Sequence, residues 1–185
     1  MLFEFYADKQ MEDSEIDINL NDFADNLIIL IKALLNDKNY PGKHEARTSL
    51  VGMGKTIIPQ MHELLASKNN LLRLEAAKIV ELIADKRSVP LLISLLEDSE
   101  SDIRWTAAEG LINIGRRSIL PVLKAVRDAK NPNFIRKGAH HVLNSLLNEN
   151  EKEKFKTLLL SLNDYHELGG TVPVEASKAI KTTFK

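Results

Sequence analysis

Pro59, Pro90 and Pro121 stand 31 residues apart, and each is preceded by positions rich in Ile, Val or Leu. A second column runs beside the prolines. Lys43, Arg73, Arg104 and Arg136 each precede an alanine by three residues: Ala46, Ala76, Ala107 and Ala139. Four residues after the alanines come Leu50, Val80, Leu111 and Leu143, then Met53, Ile83, Ile114 and Leu146, then Gly54, Ala84, Gly115 and Leu147. Self-similarity at a period near thirty means one supersecondary unit copied several times, because a lone copy cannot bury its own apolar face.

The spacing within a copy is helical. The stretch Asp102 to Gly115, followed by Arg116-Arg117 and then Pro121, reads as a helix, a tight turn and a second helix. A proline in a first helical turn removes an N–H that has no partner there, and a glycine just past a helix end suits a left-handed residue. The alanine column predicts where first helices press together, since a larger side chain would hold the backbones apart. The Leu and Ile columns are expected to fill the core between layers. The second helices carry Met61, Leu64 and Leu65, then Leu92, Leu95 and Leu96, then Leu123 and Val126.

This pattern resembles the HEAT-repeat family, in the short form also found in subunits of phycobilin lyases. Residues 98–127 match best, then 69–97 and 38–66; within 130–162 only the first helix matches, since no proline follows and 148–156 is highly charged. The resemblance implies an all-α, right-handed α-α superhelix, a HEAT-like solenoid of about four helical hairpins with capping helices at both ends. The expected boundaries are an acidic segment at 1–15, an N-terminal capping helix within 16–37, and repeats at about 38–68, 69–97, 98–128 and 129–162. A loop and C-terminal capping helix follow at 163–185. Phe23, Leu27, Leu30, Ile31 and Leu34 give the first cap its apolar face, with Asn21 or Asp22 capping its start near Leu20. Val174 to Thr183 forms the last helix, with Ala176, Ala179 and Ile180 inward.

Composition narrows the function classes. With 185 residues and 44% hydrophobic positions the chain can bury a useful core. It contains no cysteine, which excludes disulfides, thiolate metal sites and a cysteine nucleophile. No apolar run is long enough to span a bilayer, and a cytoplasmic protein without membrane contact is expected. The net charge of −1 is uneven: residues 1–41 hold nine acids and three bases, whereas the remainder holds seventeen acids and twenty-two bases. A near-neutral total argues against general nucleic-acid binding. The acidic start, with Leu2, Phe3, Phe5 and Tyr6, is either a frayed terminus or a segment that docks on the basic repeats of its own or a second molecule, as monomer or weak homodimer.

No residue set supports catalysis, a metal or a cofactor. Gly52-Met53-Gly54-Lys55-Thr56 resembles the end of a phosphate-binding loop, but Ser49 replaces the required glycine and a helix stands where that loop needs a strand. His140-His141 are adjacent, so their side chains diverge by about 100° around a helix; His140, in the column of Ala77 and Ala108, is expected to be partly packed. The turn bases Lys55, Lys86, Arg87, Arg116 and Arg117 are expected to form a positive ridge along one edge. The resemblance implies that Arg73, Arg104 and Arg136 bond acceptors of the adjacent layer, for which Asp98 or Asp102 could serve. Trp105 is expected to be half-buried against the preceding layer or to anchor a partner.

Together these features predict a non-catalytic protein-interaction module or scaffold. The resemblance implies that its partner, another protein, binds the curved face of the second helices. Gln60, His62, Glu63, Ser94, Lys124, Arg127 and Arg136 are candidates for that face or its rim. An accessory subunit of a chromophore lyase, or a nucleic-acid-binding protein of the same fold, are the alternatives.

Overall fold

A computed structural model describes residues 23–36, 40–129, 132–164 and 170–183. The acidic segment 1–15 and the suggested caps Asn21 and Asp22 lie outside them. Among the described residues all regular structure is helical, as the resemblance implied. The chain divides between Ile83 and Ala84 into two compact units.

The first unit contains α1 (Asp25–Leu34), α2 (Tyr40–Gly52), α3 (Ile58–Leu64) and α4 (Asn70–Ile83). Ala24 is extended (ψ 143°) and sets the start of α1, so this helix does not run back to Leu20 as expected. Leu27, Leu30, Ile31 and Leu34 are buried at the anticipated spacing, and α1 packs on α2. Helices α2 and α4 pack together, with Ala46 and Ala76 both fully buried. Beside them Glu75, 1% exposed, accepts from Arg47 at 2.6 and 2.8 Å and also pairs with Lys43 and Lys78. A buried carboxylate needs such partners to offset its lost hydration.

The second unit contains α5 (Val89–Leu95), α6 (Ser101–Ile114), α7 (Ile119–Asp128), α8 (Pro132–Leu146), α9 (Glu149–Lys154), α10 (Lys156–Asn163) and α11 (Thr171–Thr183). Helix α6 packs on α5 and α8, α8 also on α7 and α10, and α11 on α7 and α10. Ala107 and Ala139 are fully buried. Next to Ala139, a Cβ on Gly138 would stand 2.7 Å from the Leu96 side chain. Small residues thus set how closely the layers approach. Leu50, Val80, Leu111 and Leu143 are fully buried, whereas Met53, Ile83, Ile114 and Leu146 are only half-buried. That second column sits on the last turn of each first helix, where the chain is leaving the layer, and it does not fill the core as expected.

The conserved geometry of the copies lies in their joints. Gly54 (φ 63°), Ala84 (φ 51°) and Gly115 (φ 86°) all have positive φ. A short 3-10 turn begins at Gly54 itself and shortly after Ala84 and Gly115: Gly54–Ile57, Lys86–Ser88 and Arg116–Ser118. Pro59 and Pro90 stand in the first two positions of α3 and α5, and Pro121 is the third residue of α7. Arg73 donates to the carbonyls of Ser67 and Lys68, and Arg104 to those of Asp98 and Ser99. These carbonyls follow the second helix of the preceding copy, so each arginine staples the loop leading into its own helix. Asp98 therefore serves through its backbone oxygen, and Asp102 is not the acceptor. Arg136, only 5% exposed, instead donates to the Ser161 and Asp164 carbonyls at the end of α10. It lies inside the packing and not on a binding face or its rim.

The fourth copy departs from the rest. Leu147 is buried and Asn148 opens α9 with a capping box: its side chain accepts from Glu151 N while the Glu151 carboxylate accepts from Asn148 N. The charged stretch is thus a helical turn. At the C-terminal end α11 begins two residues before Pro173, with Val172, Ala176 and Ala179 buried and Ile180 only partly so.

Gly115 combines φ 86° with ψ −156°, a region open almost only to glycine. Gly115→Ala should lower unfolding stability by roughly 1–3 kcal/mol. Ala84→Gly should raise it, by up to about 1 kcal/mol, because left-handed backbone strains an alanine. Urea denaturation of both variants beside the unaltered protein checks the pair of opposite signs.

Candidate partner-binding groove

The joints decide where the bases point. In the second unit the two turns read Lys86-Arg87-Ser88 and Arg116-Arg117-Ser118, and both serines are fully buried. Ser118 donates from Oγ to the Leu111 carbonyl at 2.8 Å and from N to the Gly115 carbonyl. Ser88 N donates likewise to the Asp85 carbonyl. With the serine anchored inward, the two bases before it are turned to solvent, and all four are exposed.

Between α5 and α7 these turns open onto a groove of about 760 Å³. Val89, Pro90 and Ile93 of α5, with Leu120, Pro121 and Ala125 of α7, make its apolar lining. Lys86, Arg87, Arg117, Lys124 and Asp128 stand around it. The prolines contribute apolar rings at the entrance, a second use of residues whose first role is to start the helices.

Local ion pairs remove part of this charge. Arg87 donates to both oxygens of Asp85, from Nε at 3.0 Å and Nη2 at 3.1 Å. The Asp85 hydrogen bond holds the Arg87 guanidinium above its ordinary pKa despite the opposing effect of burial. Arg127 grips Asp128 through Nε and Nη2 at 2.7 and 2.6 Å, and that hydrogen bond keeps the Asp128 carboxyl below its usual range. Among the described residues neither Lys86 nor Arg117 has a side-chain ion pair. Lys124 also acts on Asp128 through its charge, so with Asp85 and Asp128 matched two cations remain over the groove: Lys86 and Arg117.

The other anticipated residues lie elsewhere. Arg116 turns to α9, donating to Glu151 at 2.5 and 3.0 Å and to the Leu146 carbonyl, so the ridge is broken at that position. Lys55 is exposed in the first unit, on the turn after α2. There the phosphate-loop look-alike follows a helix, and Thr56 Oγ donates to the Met53 carbonyl. Gln60, His62 and Glu63 are on α3, also in the first unit; the Gln60 Oε1 atom is buried with no hydrogen-bond partner among the described residues. Ser94 is on α5, with its hydroxyl donated to the Leu91 carbonyl.

Trp105 belongs to a separate patch on the first helices. Its indole stacks on His141 of α8, the next copy, with centroids 4.5 Å apart and planes at 22°. His141 Nε2 lies 2.7 Å from Glu109, one turn beyond Trp105 on α6. Arg104 caps the face of Phe134 at 5.1 Å. Trp105 is 57% exposed, more than the half-burial expected. The imidazole held by Glu109 gives it a flat platform on the following copy. His140, next door, is half-buried, as its column implied; burial, with help from His141, lowers its pKa.

Sequence reasoning missed Glu75 and the pairs Arg116–Glu151 and Arg127–Asp128. The signal for Glu75 was present: Arg47 stands in the column of Ala77 and Ala108 while Glu75 stands in that of Thr106 and Gly138. Opposite charges at core positions of successive copies indicate a pair.

Residues 58–144 match the family model for HEAT repeats. No curated protein matches the chain. No described helix is long and apolar enough to cross a membrane.

Trp105→Ala should lower stability by about 1 kcal/mol, the worth of one stacked pair, as measured by urea denaturation. His140 supplies a pH signature. With its folded pKa below the ordinary 6.5, the unfolded chain binds the proton first. Stability is then full above that value and falls as pH drops through it. Comparing unfolding midpoints between pH 7.5 and 5.5 should show this loss reduced in His140→Gln.

Proposed function

We propose, for a chain that is of the HEAT-repeat family over residues 58–144, that it is a non-catalytic protein-interaction module and that the α5–α7 groove is its binding site. The observation that carries this is the union of an apolar lining and cations left unmatched by the protein's own acids. Burying that lining against a partner side chain gives affinity at roughly 25 cal/mol per Å² of apolar surface. The surrounding charges then select orientation and speed encounter.

The apolar lining favours a protein over a nucleic acid. A phosphate backbone needs a long track of cations and gains little from Val89, Ile93 and Leu120. Here the cations are few and clustered at one end. A cytoplasmic location and a monomeric or weakly dimeric state go with this reading.

The test is capture from the native cell with two baits, the unaltered protein and a Lys86→Glu, Arg117→Glu, Lys124→Glu variant. All three positions are exposed, so the variant should keep its helical circular dichroism. Proteins recovered with the first bait should be depleted by about tenfold or more with the second. Equal recovery would remove the groove as the binding site.

A further inference from the structure

We infer that the occupant of the α5–α7 groove is a short acidic segment with an apolar anchor, its carboxylates seated at the turn end of the groove. This rests on the groove being the binding site and adds the chemistry and direction of what enters it.

The charge around the groove is polarised along its length. Lys86 and Arg117 stand on the two 3-10 turns, just before α5 and α7 begin. Asp128 stands at the opposite end, on the last residue of α7. Lys124 lies between them. Since Arg127 takes up Asp128 through two hydrogen bonds, the far end is locally balanced while the turn end is not. An entering chain therefore meets attraction at the turns, an apolar bed formed by Ile93 and Leu120, and no net charge beyond.

The dimensions favour a short occupant. Helix α5 has seven residues, a length of roughly 10 Å, and adjacent packed helices lie about 10 Å apart. An extended chain covers that length with roughly three or four residues. One or two acids followed by one large apolar side chain fill such a bed and match Lys86 and Arg117. A basic segment would meet like charges, which disfavour its entry.

Selection from a library of short random peptides on the immobilised full chain tests this directly. Recovered sequences should be enriched in Asp or Glu next to Leu, Ile or Phe. A labelled peptide of that kind should bind about tenfold more weakly to Lys86→Glu/Arg117→Glu, and more weakly as salt is raised. Ile93→Ser should also weaken it, and exchanging its acids for lysines should abolish binding. Recovery of no peptides, of peptides without acids, or of peptides held equally by the charge-reversed protein would overturn the inference, as would competition by a thymidine oligonucleotide alone. If cellular partners are still lost on charge reversal while acidic peptides fail, the interaction site stands and its acidic specificity does not.

Discussion

Close approach of the first helices at alanine underlies everything else in this chain. Ala46, Ala76, Ala107 and Ala139 have no exposed surface, and in the second unit Gly138 extends the same condition to contact with Leu96. With side chains this small, the layers within each unit are held apart by little more than backbone, and the leucine or valine one turn later can meet its counterpart in the core of that unit. The joints follow from that contact. After each of these first helices, a positive-φ residue, a 3-10 turn and a helix with proline in its first turn return the chain.

Groove and core are thus products of the same periodicity. The serine that closes each joint in the second unit is buried, and this is why the bases before it face outward. Two copies in succession place two such turns at one end of α5 and α7. Charge balance then sorts the cations: Arg87, Arg116 and Arg127 are held by Asp85, Glu151 and Asp128, while Lys86 and Arg117 have no such acid. A count of basic residues could not distinguish these groups, because the distinction depends on which carboxylates come within reach.

The fold was legible because a repeat writes its packing several times over. One alanine in a helix carries little information, but four at matched positions, each three residues after Lys or Arg, specify a contact. The same redundancy revealed the joints, even where Ala84 replaces glycine. Legibility failed where a copy breaks the pattern. The capping box of Asn148 and Glu151 looked only like a charged stretch, and Glu151 is 35 residues from the arginine it meets. Trp105 has a variable column, so nothing in its neighbours announced a stack on His141. Glu75 was hidden by treating each column separately, when its meaning lies in the opposite charge of Arg47 one copy earlier.

Helix α7 both borders the groove and seats α11, the last helix of the described chain. A ligand that bound the docked arrangement of α11 more tightly than an undocked one would favour retention of that helix by the same factor.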